Sequence, residues 1–164
     1  MHGNLELKLG MTDFVEYLNA YDFIFLSEIW ANKFCKLDLD GFSKPICKFR
    51  KKRKGGKRDS GGVCVYFRNE ISQGIQKIDW DFEDGLMFKL NKDFFGWERD
   101  AYVVCVYMRN NQSTRESIND GPNCYDIVLD KMSTIPDDSM IFAMGIGTVE
   151  WVSAQKCVLK VLKM

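Results

Sequence analysis

The sequence is very poor in histidine, and this scarcity limits the chemistry that the chain can perform. Its single histidine, His2, is the second residue. Catalytic triads and histidine general bases require an imidazole, and most zinc sites use histidine or closely spaced cysteines. Any catalysis is therefore expected to depend on carboxylates, amides, phenols and a bound metal ion.

Closely spaced cysteines and long apolar runs are also absent. The six cysteines include no C-x-x-C pair, and Cys64 and Cys105 lie within apolar runs, where we expect small core residues. This usage favours a reducing compartment over a disulfide framework. No signal peptide is evident, and no apolar run approaches the ~20 residues of a membrane span. We therefore expect a nuclear or cytoplasmic protein outside the membrane.

The chain has no net charge, but its charges are unevenly distributed. It contains 164 residues, 46% of them hydrophobic, which predicts one domain with a substantial core. The segment "KFRKKRKGGKR", residues 48–58, holds eight basic residues and no acid, which leaves 15 basic against 23 acidic residues elsewhere. We call this segment the basic run.

The basic run has two interpretations. Runs of like charge are usually solvated loops, and short basic stretches also serve as nuclear import signals. Alternatively, the run contacts the phosphate backbone of nucleic acid, where each neutralised phosphate releases counterions. The residues predicted to bind nucleic acid are Lys48, Arg50, Lys51, Lys52, Arg53, Lys54, Lys57 and Arg58.

Apolar periodicity predicts an α/β fold. A helix is expected over "MTDFVEYLNAYD" with Thr12 as its N-cap, and a second over "NCYDIVLDKMSTI". Residues 37–62 are predicted to form a loop. The predicted strands are "FIFLS", "VCVYF", "GLMFKL", "AYVVCVYM" and "SMIFAMG", with "NKDFFGWERD" as a hairpin connection carrying exposed aromatics. The order favours mixed sheets covered by flanking helices.

Glu28 is the first candidate for chemistry. It directly follows the buried strand "FIFLS", and α/β folds usually build their sites at the carboxyl ends of strands. Hard oxygen ligands suit Mg²⁺, which one or two protein carboxylates often hold together with substrate phosphate. The alternative is a glutamate that reaches water just outside the sheet.

Tyr107 and Asn110 form a second candidate pair. Tyr107 ends the strand "AYVVCVYM" before a polar loop, and Asn110 follows three residues later. A phenol there can donate to a phosphate oxygen, although most such tyrosines cap a core. The turn "SGGV" is not a P-loop, because no glycine-lysine-serine/threonine follows it.

Taken together, four blocks resemble the endonuclease/exonuclease/phosphatase superfamily. They are "YDFIFLSEIW", the basic run, "RDSGGVCVYFRNEIS" and "AYVVCVYMRN", and the resemblance spans residues 3–145. It is closest to the retrotransposon (LINE-like) endonucleases, relatives of apurinic/apyrimidinic endonucleases and DNase I. The resemblance implies the N-terminal part of a DNase I-like four-layered α/β sandwich and hydrolysis of DNA phosphodiesters with Mg²⁺ or Mn²⁺. It also implies that Glu28 binds the metal and that Tyr107 and Asn110 contact the scissile phosphate.

The sequence departs from the family pattern at several points. The metal-site asparagine of the family would fall before Met1, and Asn4 is out of register with it. After "MIFAMG" the family has G-D-F-N, but Ile146 stands here at the aspartate and Thr148 at the asparagine. The serine-aspartate-histidine motif of the second half of the domain has no counterpart.

These departures predict a truncated or degenerate copy. We expect a partial domain over residues 1–145 and a tail unrelated to the family over residues 146–164. An isoleucine can neither bind a cation nor orient water, so activity is expected to be impaired or lost. The alternative is a non-catalytic module that uses the basic run on nucleic acid or an acidic partner.

Overall fold

A computed structural model describes residues 5–50, 61–108 and 124–146 of the chain. These residues divide into two compact units, the first ending at Ile75 and the second beginning at Gln76. Each unit is built around its own β-sheet. The predictions for Lys51, Lys52, Arg53, Lys54, Lys57, Arg58, Asn110 and Thr148 lie outside the described residues.

The first unit combines two short helices with an antiparallel sheet. Helices α1 (Leu5–Leu9) and α2 (Thr12–Asn19) precede β1 (Phe23–Ser27), β2 (Ile46–Lys48) and β3 (Val63–Phe67). The sheet order is β1-β3-β2, and β3 pairs antiparallel with both neighbours. All five side chains of β3 are buried, as its unbroken run of β-branched, aromatic and thiol residues predicts.

The core of the first unit contains one buried hydroxyl. Leu18 of α2, Ile24 of β1 and Tyr66 of β3 are each completely inaccessible to solvent. The Tyr66 hydroxyl donates to the carbonyl of Leu37 at 2.9 Å, so its polar atom is satisfied inside the core. Burial is the main cause that raises the pKa of Tyr66 above its ordinary value.

The second unit contains a mixed sheet and two helices. Strands β4 (Ile75–Ile78), β5 (Gly85–Leu90), β6 (Ala101–Tyr107) and β7 (Met140–Ile146) follow one another across the sheet. The first residue of β4, Ile75, is the last residue of the first unit. β5 and β6 are antiparallel and joined through α3 (Lys92–Phe95), whereas β6 and β7 are parallel and joined by a segment that includes α4 (Cys124–Ser133). A crossover of this kind is what parallel neighbours require.

The predicted α/β class, the long strands and both predicted helices are confirmed. The first sheet is purely antiparallel and the second is mixed. Cys64 and Cys105 are fully buried core residues, as predicted. The connection between β5 and β6 does carry an exposed aromatic, Phe94, and it is built as a helical turn capped by the side chain of Asn91.

Other local predictions were wrong. Thr12 is the first helical residue and not the N-cap; Met11 occupies that position and makes no side-chain capping bond. The predicted loop 37–62 contains β2, whose three residues are too few to show a period. The short elements α1 and β4 and the 3-10 helix Ser72–Gly74 were also missed. Tertiary contacts, and not local periodicity, stabilise elements this short.

Within the described ranges, we find no helix that is both long enough and apolar enough to cross a membrane.

Candidate functional site

Glu28 lies directly after β1 in an unusual backbone conformation. Its φ is 53° and that of Trp30 is 49°, so two non-glycine residues within three positions occupy the left-handed region. Each such residue costs about 1–2 kcal/mol relative to ordinary backbone. Conformations of this kind persist only where the surrounding structure imposes them, and they cluster at functional sites.

The segment that precedes β3 holds this strained backbone in place. The N–H of Ile29 donates to the carbonyl of Gly62 at 3.4 Å, and the N–H of Trp30 donates to the carbonyl of Gly61 at 3.0 Å. The carbonyl of Ile29 accepts from the N–H of Leu5 at 2.9 Å. Contacts from two segments of the first unit therefore fix the direction in which the chain leaves β1.

Gly61 and Gly62 allow a close approach that other residues would block. Both have positive φ, 66° and 87°. A Cβ on Gly62 would lie 3.0 Å from the carbonyl oxygen of Lys48, and one on Gly61 would overlap the guanidinium group of Arg50. The absence of a side chain at Gly61 therefore leaves room for the Arg50 side chain.

Arg50 and Glu28 form an ion pair within the first unit. Nη1 of Arg50 lies 3.6 Å from Oε1 of Glu28, and the two side chains are 13% and 33% exposed. Because the arginine is mostly shielded from water, this pair is screened less than a surface pair. The Glu28 carboxylate is thus partly exposed and paired with Arg50, and a cation that binds it would compete with the guanidinium.

The basic run begins at this ion pair. Lys48 is the last residue of β2, and Phe49 packs partly buried against the core of the first unit. Arg50, predicted to bind nucleic acid, directs its charge toward Glu28. Lys48 is half-buried at the strand end, where its backbone carbonyl approaches Gly62. The first three residues of the basic run therefore belong to β2 or contact other residues of the first unit.

Tyr107 ends β6 in the second unit, as predicted. Its side chain is half-buried, and its N–H donates to the carbonyl of Asp84 at 2.8 Å. Tyr107 pairs in register with Ile146, the last residue of the parallel strand β7. Tyr107 and Ile146 are therefore neighbours at the carboxyl ends of two parallel strands.

The described residues do not complete a metal centre. They contain no group of three or more histidine, cysteine, aspartate or glutamate side chains arranged to hold a metal ion. Glu28 contributes one carboxylate, and Arg50 already neutralises it. Magnesium usually keeps several waters and needs only one or two protein carboxylates, so what opposes a magnesium ion at Glu28 is the guanidinium of Arg50, which competes for the same carboxylate.

The sequence indicates that Gly61 and Gly62 allow backbone geometry that other residues resist, and their positive φ angles agree. Sequence reasoning missed the ion pair between Glu28 and Arg50 and the room that Gly61 leaves for the arginine. One signal was present, since Gly61 and Gly62 stand immediately before the strongly predicted strand "VCVYF". The pairing of β1 with β3, which brings the glycines beside Glu28, is a long-range contact that no local pattern encodes.

Comparisons with family models, with curated proteins and with solved structures found no match to this chain.

Proposed function

We propose that this chain is a degenerate endonuclease/exonuclease/phosphatase-type domain, related to retrotransposon endonucleases, that binds DNA through the basic run and has lost most of its phosphodiester hydrolysis. The proposal includes a partial DNase I-like sandwich as the fold. The observation that carries it is the ion pair between Glu28 and Arg50 at the carboxyl end of β1. The residue that the resemblance assigns to the metal is here paired with a cation of the chain itself.

DNA binding in this proposal depends on charge and not on sequence. Lysine and arginine side chains of residues 48–58 neutralise phosphates and release counterions, which gives affinity for any sequence. Arg50 stays with Glu28 and anchors the beginning of the run to the sheet. The remaining basic residues then supply the contacts to the backbone.

In this proposal, loss of hydrolysis follows from the residues at two strand ends, one in each unit. In an intact enzyme of this type a bound Mg²⁺ or Mn²⁺ neutralises charge that develops on the phosphate. In this chain the glutamate is neutralised by an arginine, and the strand end beside Tyr107 carries Ile146. Residues of a catalytic constellation act as a unit, so the loss of one can remove nearly all of the rate.

A non-catalytic module with an acidic protein partner is the second candidate. The ion pair between Arg50 and Glu28 favours this candidate, because one residue of the basic run already binds a carboxylate of the same chain. The two candidates can be distinguished by letting DNA and polyglutamate of equal charge compete for binding to the protein. DNA that displaces polyglutamate, and is not displaced by it, supports the first.

The test uses the full chain with supercoiled plasmid in Mg²⁺ or Mn²⁺ and measures both nicking and retention. We expect salt-dependent retention and little nicking. Changing Lys51, Lys52, Lys54 and Lys57 together to Gln should reduce the slope of log K against log salt by about 0.9 for each phosphate that the variant no longer neutralises. The matched control changes four lysines elsewhere, all of them exposed: Lys33, Lys36, Lys77 and Lys92.

Two results would contradict the proposal. An equal loss of retention in the control variant would show that general charge, and not the basic run, binds DNA. Efficient nicking that disappears in Glu28→Gln would show an intact enzyme and exclude a degenerate one.

A further inference from the structure

Cys47 and Cys64 lie directly opposite each other on neighbouring strands of the first unit. They are register partners in the antiparallel pairing of β2 with β3. Their Sγ atoms are 2.8 Å apart, with the Cys47 thiol donating toward Cys64. Both residues are thiols in this structure.

The backbone geometry suits a covalent bond between these two sulfurs. Residues directly opposite on antiparallel strands have Cα atoms about 4.5 or 5.5 Å apart, and both values fall within the range of about 4.4–6.8 Å found for disulfides. A disulfide bond is about 2.05 Å long, so the sulfurs must approach by less than about 1 Å. Small side-chain rotations suffice, and the strands can stay in place.

The two thiols differ in their access to solvent. Cys64 is completely buried. Cys47 is half-buried and lines an open groove of about 320 Å³ together with Cys35, Lys44 and Phe49. A small oxidant in the groove therefore reaches Cys47 first, and Cys64 is already in contact with the sulfur that would be modified.

We propose that Cys47 and Cys64 are a redox-sensitive pair that closes to a disulfide on reaction with a small-molecule disulfide such as oxidised glutathione. The Cys47 thiolate attacks one glutathione sulfur, forms a mixed disulfide and releases one glutathione thiolate. The Cys64 thiolate then attacks the Cys47 sulfur, forms the protein disulfide and releases the second glutathione. Two protein thiols are oxidised and one glutathione disulfide is reduced, independently of the function proposed above.

The environment of Cys64 makes the second step sensitive to pH. Burial, followed by the hydrogen bond with Cys47, raises the pKa of the Cys64 thiol well above its ordinary value, although a hydrogen bond with Tyr66 acts in the opposite direction. The thiolate is the attacking species, so closure should become faster as the pH rises toward that pKa. The mixed disulfide on Cys47 should therefore accumulate at neutral pH and disappear faster at pH 9.

The bond would enclose the basic run. Residues 48–58 lie between the two cysteines in the sequence, and Arg50, which holds Glu28, comes three positions after Cys47. Oxidation would tie β2 covalently to β3 and close this segment into a loop. Closing a loop of this length should raise the melting temperature by about 5–10 °C.

The experiment treats the full chain with oxidised glutathione, blocks remaining thiols by alkylation and digests the product with trypsin without reduction. Trypsin cleaves within the basic run, so the proposal predicts peptides containing Cys47 and Cys64 that stay joined until a reductant separates them. Cys47→Ser should abolish the joined peptides. Cys35→Ser, which changes another thiol of the same groove, should leave them unchanged.

Other products would overturn the proposal. They are a glutathione adduct on Cys47 that persists at pH 9, a disulfide between Cys35 and Cys47, or complete alkylation of Cys64 after oxidation. Peptide mapping of the unaltered chain decides among these products, so the test does not depend on whether a variant at the buried Cys64 folds.

Discussion

Tyr107 and Ile146 are register partners at the carboxyl ends of the parallel strands β6 and β7. An apolar residue therefore ends the strand beside a tyrosine, at a sheet edge where α/β proteins usually build their sites. If the chain is the degenerate endonuclease that we propose, Ile146 stands where an intact enzyme of this type has an aspartate. This pair gives the first of five predictions.

In a chain that also carries Arg50→Met, which removes the cation paired with Glu28, changing Ile146 to Asp together with Thr148 to Asn should raise Mg²⁺-dependent nicking of plasmid DNA. The pair of substitutions supplies the carboxylate and amide that can orient an attacking water. We expect a gain of about tenfold or more, equivalent to about 1.4 kcal/mol in the barrier, and a smaller gain from Ile146→Asp alone. Ile146→Asn with Thr148→Asn is the uncharged control. An equal rise in that control would exclude a role for the new carboxylate.

Changing Arg50 to Met should release Glu28 for cations. The guanidinium lies 3.6 Å from the carboxylate, and methionine keeps an apolar stem without the charge. We expect Mn²⁺ to raise the melting temperature of this variant more than that of the unaltered chain. Arg68→Met is the control, because Arg68 is 3.8 Å from Asp22 in the same unit. If Mn²⁺ affects both variants equally, competition at Glu28 is excluded.

Gly62 should tolerate alanine less well than Gly96. Both have positive φ, 87° and 69°, so each substitution carries a cost of about 1–2 kcal/mol for left-handed backbone. A Cβ on Gly62 also lies 3.0 Å from the carbonyl oxygen of Lys48, whereas one on Gly96 meets no atom within 4 Å. Urea unfolding should therefore show a larger loss of stability for Gly62→Ala, by about 1 kcal/mol or more. Equal losses of stability would mean that the left-handed backbone alone accounts for the cost of alanine at both positions.

Tyr66→Phe should destabilise the fold by about 1–2 kcal/mol, since it removes a buried hydroxyl that donates to the carbonyl of Leu37 at 2.9 Å. Tyr17→Phe is the control. Because Tyr17 is 47% exposed, this substitution should change the free energy of unfolding by no more than about 0.5 kcal/mol. Both changes in the free energy of unfolding follow from the denaturant midpoints, provided that the slope of this free energy against denaturant concentration is the same for each variant. A neutral Tyr66→Phe would indicate that water or a shift of the chain satisfies that carbonyl.

Asp100 should contribute to stability at neutral pH and lose that contribution in acid. A hydrogen bond from Lys89, whose Nζ lies 2.7 Å from the carboxylate, and one from the N–H of Lys92 lower the pKa of Asp100. A folded-state pKa below the unfolded value stabilises the fold above about pH 4, and the effect disappears as the pH falls through the folded value. Urea unfolding of Asp100→Asn should therefore differ from the unaltered chain at pH 7, and the difference should shrink as the pH falls below about 4. A difference that is constant with pH would assign the effect to packing.

The sequence predicted the parts of the fold that have long apolar runs. Strands β1, β3, β5, β6 and β7 were found because each consists mainly of apolar residues, with Lys89 as the one charged residue of β5. β2 was missed because three residues carry no period, although it holds Cys47 and leads to Arg50. The candidate site was likewise predicted only in part. Glu28 and Tyr107 stand at strand ends as expected, but the partners described beside them were not foreseen.

The sequence by itself determined the α/β class, the buried strands and the placement of Glu28 and Tyr107 at strand ends, because short-range apolar patterning fixes which segments are buried. Only the tertiary structure decided that Arg50 neutralises Glu28, that Ile146 lies beside Tyr107 and that Cys47 meets Cys64. Each of these relationships joins residues far apart in the sequence. Strand register places Ile146 beside Tyr107 and Cys47 opposite Cys64, and the packing of the chain at the end of β1 brings Arg50 to Glu28. The residues on one side of such a contact do not reveal which residues lie on the other side.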